Sequence, residues 1–191
     1  MGTSSYVALL RGINVGGRNK VAMRDLRAAF QADGYQSVAT YIQSGNVLFT
    51  ADATQNELET RIETMLERRL GVPLVVVVRG HHQLRRVVDR APEGFGAAPD
   101  TYYSDVLFLK APLTSAQAMR VVELRDGVDE AWRGSGVLYF QRLSSRRSQS
   151  RMSKIVGKPE YQQMTIRSWA TTTKLLALLV DVEASDRHPD G

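Results

Sequence analysis

Four cations and no acid fall between Arg11 and Arg24, and two adjacent glycines stand among them, in the string Arg11-Gly-Ile-Asn14-Val-Gly16-Gly17-Arg18-Asn-Lys20. A stretch of this kind is suited to holding an anion. Glycine reaches the positive φ angles that turn successive backbone N–H groups toward one point, and Arg and Lys add charge-assisted donors. The spacing is not that of a Walker A loop, because no Gly-Lys-Ser/Thr occurs, and it is not Gly-x-Gly-x-x-Gly. The structural alternative is a plain strand-to-helix connection. A second acid-free stretch runs from Arg142 to Lys158 and holds six cations, with five serines between Ser144 and Ser153. It reads as an exposed, weakly ordered segment whose charge suits a phosphate backbone, with Lys154 as its candidate contact. Ser44 and Asn46 flank Gly45 in a tight turn. Their hydrogen-bonding side chains would join the glycine loop if the turn lies beside it. Arg167 is the last candidate, because a cation near a helix N-terminus is unfavourable unless an anion or acid partners it.

Other chemistries are poorly provided for. The chain has no cysteine, so disulfides, thiolate nucleophiles and cysteine-bound zinc are excluded. His81 and His82 have no carboxylate at ligand spacing, and no metal site is expected. No pair of acids is spaced for acid–base work.

These residues must be positioned by the surrounding elements. Tyr6–Arg11 is an apolar strand, and Met23, Leu26, Ala29 and Phe30 recur at helical spacing up to Gly34. Residues 38–43 and 47–50 form a hairpin around Ser44-Gly45-Asn46. Leu58, Ile62, Met65 and Leu66 stripe a helix that Gly71 ends, and Leu74–Arg79 is a Val-rich strand. The first eighty residues thus read β-α-β-β-α-β, the split βαβ or ferredoxin-like order. The second half reads as a helix from His81, a Pro/Gly loop, a strand from Tyr103, a helix from Thr114, and two strands on either side of Ser135-Gly136. A helix near 151–156 and a long helix from Met164 to Leu179 complete it, with no closing strand.

Two segments match each other. Tyr41-Ile-Gln-Ser-Gly-Asn-Val-Leu-Phe49 parallels Trp132-Arg-Gly-Ser-Gly-Val-Leu-Tyr-Phe140. Each places an aromatic residue, two further residues, Ser-Gly and an apolar run after a strand and helix. The chain therefore reads as a degenerate duplication. The expected fold class is α+β, two-layer, with two ferredoxin-like units. The expected boundaries are 1–80, 81–180 and an acidic disordered tail at 181–191, which holds four acids and one arginine.

Net charge is +5. No apolar run is long enough for a membrane span, and no signal-peptide pattern opens the chain. A cytoplasmic protein is expected.

Taken together, Leu10-Arg-Gly-Ile-Asn-Val-Gly-Gly17, Met23-x-x-Leu26, Tyr41-Ile-Gln-Ser-Gly-Asn-Val, Ser153-Lys154 and Thr165-x-Arg-x-Trp169 resemble the bacterial Domain of Unknown Function 1697 family. The resemblance covers about residues 5–180. It implies a small cytoplasmic α+β protein with duplicated ferredoxin-like units and implies no activity. The family pattern carries Asn where Ser168 and Ala170 stand here.

The functional expectation is a binding module for a phosphorylated or polyanionic ligand, nucleic acid included. Its ligand-binding residues would be Arg11, Asn14, Gly16, Gly17, Arg18, Lys20, Ser44, Asn46, Lys154 and Arg167. No cofactor is expected, and a monomer is favoured. An enzyme acting on a small phosphorylated substrate and a protein-interaction module are the alternatives.

Overall fold

The computed structural model describes residues 3–14 and 20–187. The elements run β1 (Ser4–Leu10), α1 (Met23–Ala32), β2 (Gln36–Tyr41), β3 (Asn46–Ala51), α2 (Gln55–Leu70), β4 (Val76–Gly80) and α3 (His81–Asp89). They continue with β5 (Tyr102–Leu109), α4 (Ser115–Val121), β6 (Asp129–Gly134), β7 (Val137–Leu143), β8 (Met164–Ser168) and α5 (Trp169–Arg187). Three 3-10 segments, Ser144–Gln149, Met152–Gly157 and Pro159–Gln163, lie between β7 and β8.

Two four-stranded sheets form, ordered β2-β3-β1-β4 and β6-β7-β5-β8. All their pairings are antiparallel. This is the expected α+β architecture of two similar units, and the two Ser-Gly hairpins occupy equivalent places in it. The Leu10 N–H donates to Gly45 O at 2.9 Å, and the Leu109 N–H donates to Gly136 O at 3.0 Å. The next residue in each unit repeats the match. Arg11 N–H reaches Val75 O at 2.9 Å and Lys110 N–H reaches Gln163 O at 2.8 Å.

The compact units comprise residues up to Leu84 with those from Lys174 on, and Arg85–Thr173. In the first, Ala8, Leu10, Val47, Phe49, Val76 and Val78 share one face of the sheet with Leu26 and Phe30 of α1 and Leu58 and Ile62 of α2. Alternation along the strands places these residues on one side. The sheet edge at β4 is closed by α2. The Glu63 and Glu59 carboxylates accept hydrogen bonds from Val76 N–H at 2.8 Å and Val78 N–H at 3.0 Å. Two glutamates one helical turn apart thus take the place of a further strand.

Four expectations need correction. The second unit does have a closing strand, β8, which pairs with β5. It runs into α5 with no Gly or Pro between them, so the two read as one helix in sequence. The expected helix at 151–156 is a 3-10 segment, and no α-helix stands where α2 stands in the first unit. The Ser/Arg stretch is folded. Its Ser144 N–H donates to Thr101 O at 2.8 Å and its Arg151 N–H to Asp129 Oδ2 at 2.8 Å, although Arg146, Arg147 and Arg151 are exposed as expected. Finally, the part of the expected disordered tail at 181–187 is helical, because no helix-breaking residue interrupts 169–187, while 188–191 lie outside the described residues.

Candidate functional site

At the C-terminal end of β1 the chain enters the acid-free loop, and Asn14 fixes its neck. The Asn14 side chain donates to Val21 O at 2.9 Å and to Gln43 O at 3.0 Å, and its Oδ1 accepts from Val21 N–H at 2.9 Å. One amide thus makes a two-way, strand-like bridge to the residue seven positions on and a third bond to the β2–β3 turn. Asn14 sits at φ 55, a left-handed conformation that Asn tolerates better than most residues.

The turn is seated on the same neck. Gly45 has φ +76, and a Cβ there would lie 2.3 Å from Ile13 Cγ2 and 2.9 Å from Leu10 Cβ. Only glycine allows this approach. Asn46 is fully buried and donates to Tyr41 O at 2.9 Å and Ser44 Oγ at 3.0 Å.

The structure therefore brings Arg11, Asn14, Ser44 and Asn46 to one end of the first sheet. Arg11 is half-buried, and Lys20 is exposed beside the pinned Val21. Asn14 and Asn46 direct their side chains into backbone and turn bonds, so their described role is to hold the loop neck and the turn. Gly16, Gly17 and Arg18 lie outside the described residues. Arg24 pairs with Asp25 at 3.2 Å on the surface.

Lys154 and Arg167 belong to the other unit. Lys154 is exposed in the 3-10 segment Met152–Gly157. Arg167 lies inside β8, two residues ahead of the start of α5 at Trp169. It is 6% exposed, and its guanidinium donates to Thr165 Oγ1 at 2.9 Å and Ile166 O at 2.8 Å. Burial lowers its pKa to about 10, so it stays charged at neutral pH. Its counterpart in the first unit is Arg79. The register pairs Val7 with Arg79 and Val106 with Arg167. Arg79 also donates to the preceding carbonyl, Val78 O, at 2.7 Å, and lies 3.8 Å from the Glu59 carboxylate. Burial lowers its pKa to about 10 too, against the pull of Glu59. A buried arginine at the same place in both closing strands went unnoticed in the sequence, because the closing strand of the second unit did.

A second basic region lies in the second unit. Tyr103 is 45% exposed, with the Arg147 guanidinium 4.7 Å and the Arg142 guanidinium 5.6 Å from its ring centre. Arg142 also pairs with Asp105 at 3.0 Å. Burial raises the Asp105 pKa, and Arg142 opposes the rise. Tyr103 faces Arg142 across the β5–β7 ladder, which a matched strand pairing in sequence would have shown. No cluster of three or more His, Cys, Asp or Glu residues suited to a metal ion occurs among the described residues. No helix among them is long and apolar enough to cross a membrane.

The sheet orders define an α+β protein built from two ferredoxin-like units, with a pinned basic loop on the first. Residues 3–139 match the family model described as "Protein of unknown function (DUF1697)". The chain belongs to that family. It is similar in structure to the conserved bacterial protein SP0830 from Streptococcus pneumoniae, with a TM-score of 0.81 and 26% sequence identity. That match covers 93% of this chain and 99% of the other. No curated protein matches the chain.

Proposed function

We propose that this chain is a binding module for a phosphorylated or polyanionic ligand, held by the basic loop between β1 and α1. The observation that carries this reading is the Asn14 clamp. It closes the neck of a loop that contains Gly16, Gly17 and Arg18, with Arg11 and Lys20 beside the neck and no acid among them. Cations gathered without acids repel one another, and a bound anion relieves that repulsion. The described residues supply no nucleophile–base pair at the loop, which favours binding over turnover. The reading is of a cytoplasmic monomer whose partner is nucleic acid or a phosphorylated small molecule, with no cofactor.

The test is an NMR titration with inorganic phosphate and with oligothymidylate at low salt, following the backbone amides of Asn14, Lys20 and Val21. Both ligands should shift these amides, and binding should weaken as salt rises. The variant R18A/K20A should lose the shifts while keeping its fold. Unshifted loop amides in the parent, or equal affinity in the variant, would overturn the reading.

A further inference from the structure

The duplication supplies an internal comparison for the second unit. In the first unit the crossover from β3 to β4 is the sixteen-residue helix α2, which buries Leu58, Ile62, Met65 and Leu66. In the second, the crossover from β7 to β8 is the set of 3-10 segments. The first two of these bury only Ile155, and Val156 is left 56% exposed. Three short turns cover a sheet face less completely than four turns of α-helix. The result is a cleft of about 380 Å³ between that crossover and the sheet. Its volume falls in the range of small-molecule sites, roughly 300–1,000 Å³.

The lining of the cleft is of two kinds. Ile155 and Ile166 give it an apolar part, while Arg142, Arg147, Ser148 and Ser153 give it cations and hydroxyls. None of its lining residues is acidic. Arg142 is set in place by Asp105, and both guanidiniums lie near the half-exposed ring of Tyr103. Guanidinium planes and tyrosine rings are the surfaces on which nucleobases stack, while Arg and Ser are donors for phosphate. An inorganic anion would use the cations and leave the apolar wall and the ring unused.

We infer that this cleft, together with the neighbouring Tyr103 ring that two of its lining arginines reach, is a binding site of the second unit, and that its ligand is a nucleotide: a base against the apolar wall and the exposed part of the Tyr103 ring, a phosphate on Arg147 and the serines. Free nucleotide and single-stranded nucleic acid share this chemistry.

The experiment uses the full chain carrying R18A/K20A, so that the loop contributes nothing and failure of either proposal is read separately. Adenosine monophosphate, oligothymidylate and inorganic phosphate are titrated at low salt, following the Tyr103 and Ser148 amides. Adenosine monophosphate should bind there, and R147A should weaken it about ten- to a hundred-fold. Y103A should weaken it about tenfold, Y103F should restore the affinity, and R120A, on the exposed end of α4, should leave it unchanged. Tryptophan fluorescence checks that the second unit, which holds Trp132 and Trp169, is folded in each variant. Binding of oligothymidylate alone, with the same variant pattern, assigns the site to a strand rather than a free nucleotide. Absence of binding by both, unchanged affinity in R147A and Y103A, or phosphate bound as tightly as adenosine monophosphate would overturn the inference.

Discussion

Replacing Gly45 by alanine tests how the β2–β3 turn and the loop neck are joined. Two costs add. Gly45 sits at φ +76, where an L side chain costs roughly 1–2 kcal/mol. The new methyl would also lie 2.3 Å from Ile13 Cγ2 and 2.9 Å from Leu10 Cβ. Both neighbours are 1% exposed, so neither can swing into solvent. Overpacking of this kind costs about 1–3 kcal/mol. The expected loss is therefore about 2–5 kcal/mol, a large share of the 5–15 kcal/mol typical of a domain. Gly12 provides the control. It has φ +70, but a Cβ there meets nothing within 4 Å, so Gly12→Ala should cost only the conformational part, about 1–2 kcal/mol. The assay is amide hydrogen exchange of β1 and β3 through a urea series. Tryptophan fluorescence would not serve, since Trp132 and Trp169 both lie in the unit Arg85–Thr173. If Gly45→Ala costs no more than Gly12→Ala, within about 0.5 kcal/mol, the turn is not seated on Ile13 and the argument from close approach fails.

Two further predictions concern buried polar groups. Arg79→Met leaves the Glu59 carboxylate, 4% exposed, without its nearby cation and should cost about 3–5 kcal/mol. Adding Glu59→Gln should recover part of this, because the amide oxygen can still accept from Val78 N–H. A double-mutant cycle by urea denaturation that shows simple additivity would contradict the pairing. Burial raises the pKa of Tyr139 to about 12, and its hydroxyl donates to Val87 O at 2.7 Å. An unfolded tyrosine ionises near 10, so between about pH 10 and 12 only the unfolded chain releases this proton and stability falls as pH rises. In Tyr139→Phe that alkaline slope should shrink, on top of a pH-independent loss of about 1 kcal/mol for the missing hydrogen bond. Equal slopes in parent and variant would show that the phenol is not protected.

Local pattern alone determined the first unit. The stripe in α1, the stripe and terminal Gly71 of α2, and the Ser44-Gly45-Asn46 turn are signals carried by neighbours in sequence, and the structure realises each within a few residues. The paired Ser-Gly segments carried the duplication for the same reason, since both units need glycine at one left-handed turn position. What tertiary structure alone decided depends on partners distant in sequence. Met164–Ser168 is a strand because β5 offers it an unpaired edge, and nothing in those five residues announces that edge. That the Asn14 amide bonds Val21 and Gln43, and that Arg167 is buried in the strand just ahead of α5, are likewise visible only in three dimensions. Tyr103, Arg142 and Arg147 come together only through the β5–β7 register and the fold of the 3-10 segments. Spacing along the chain encodes periodicity and turns, whereas pairing across a sheet is set by which edges remain open once the other elements have packed.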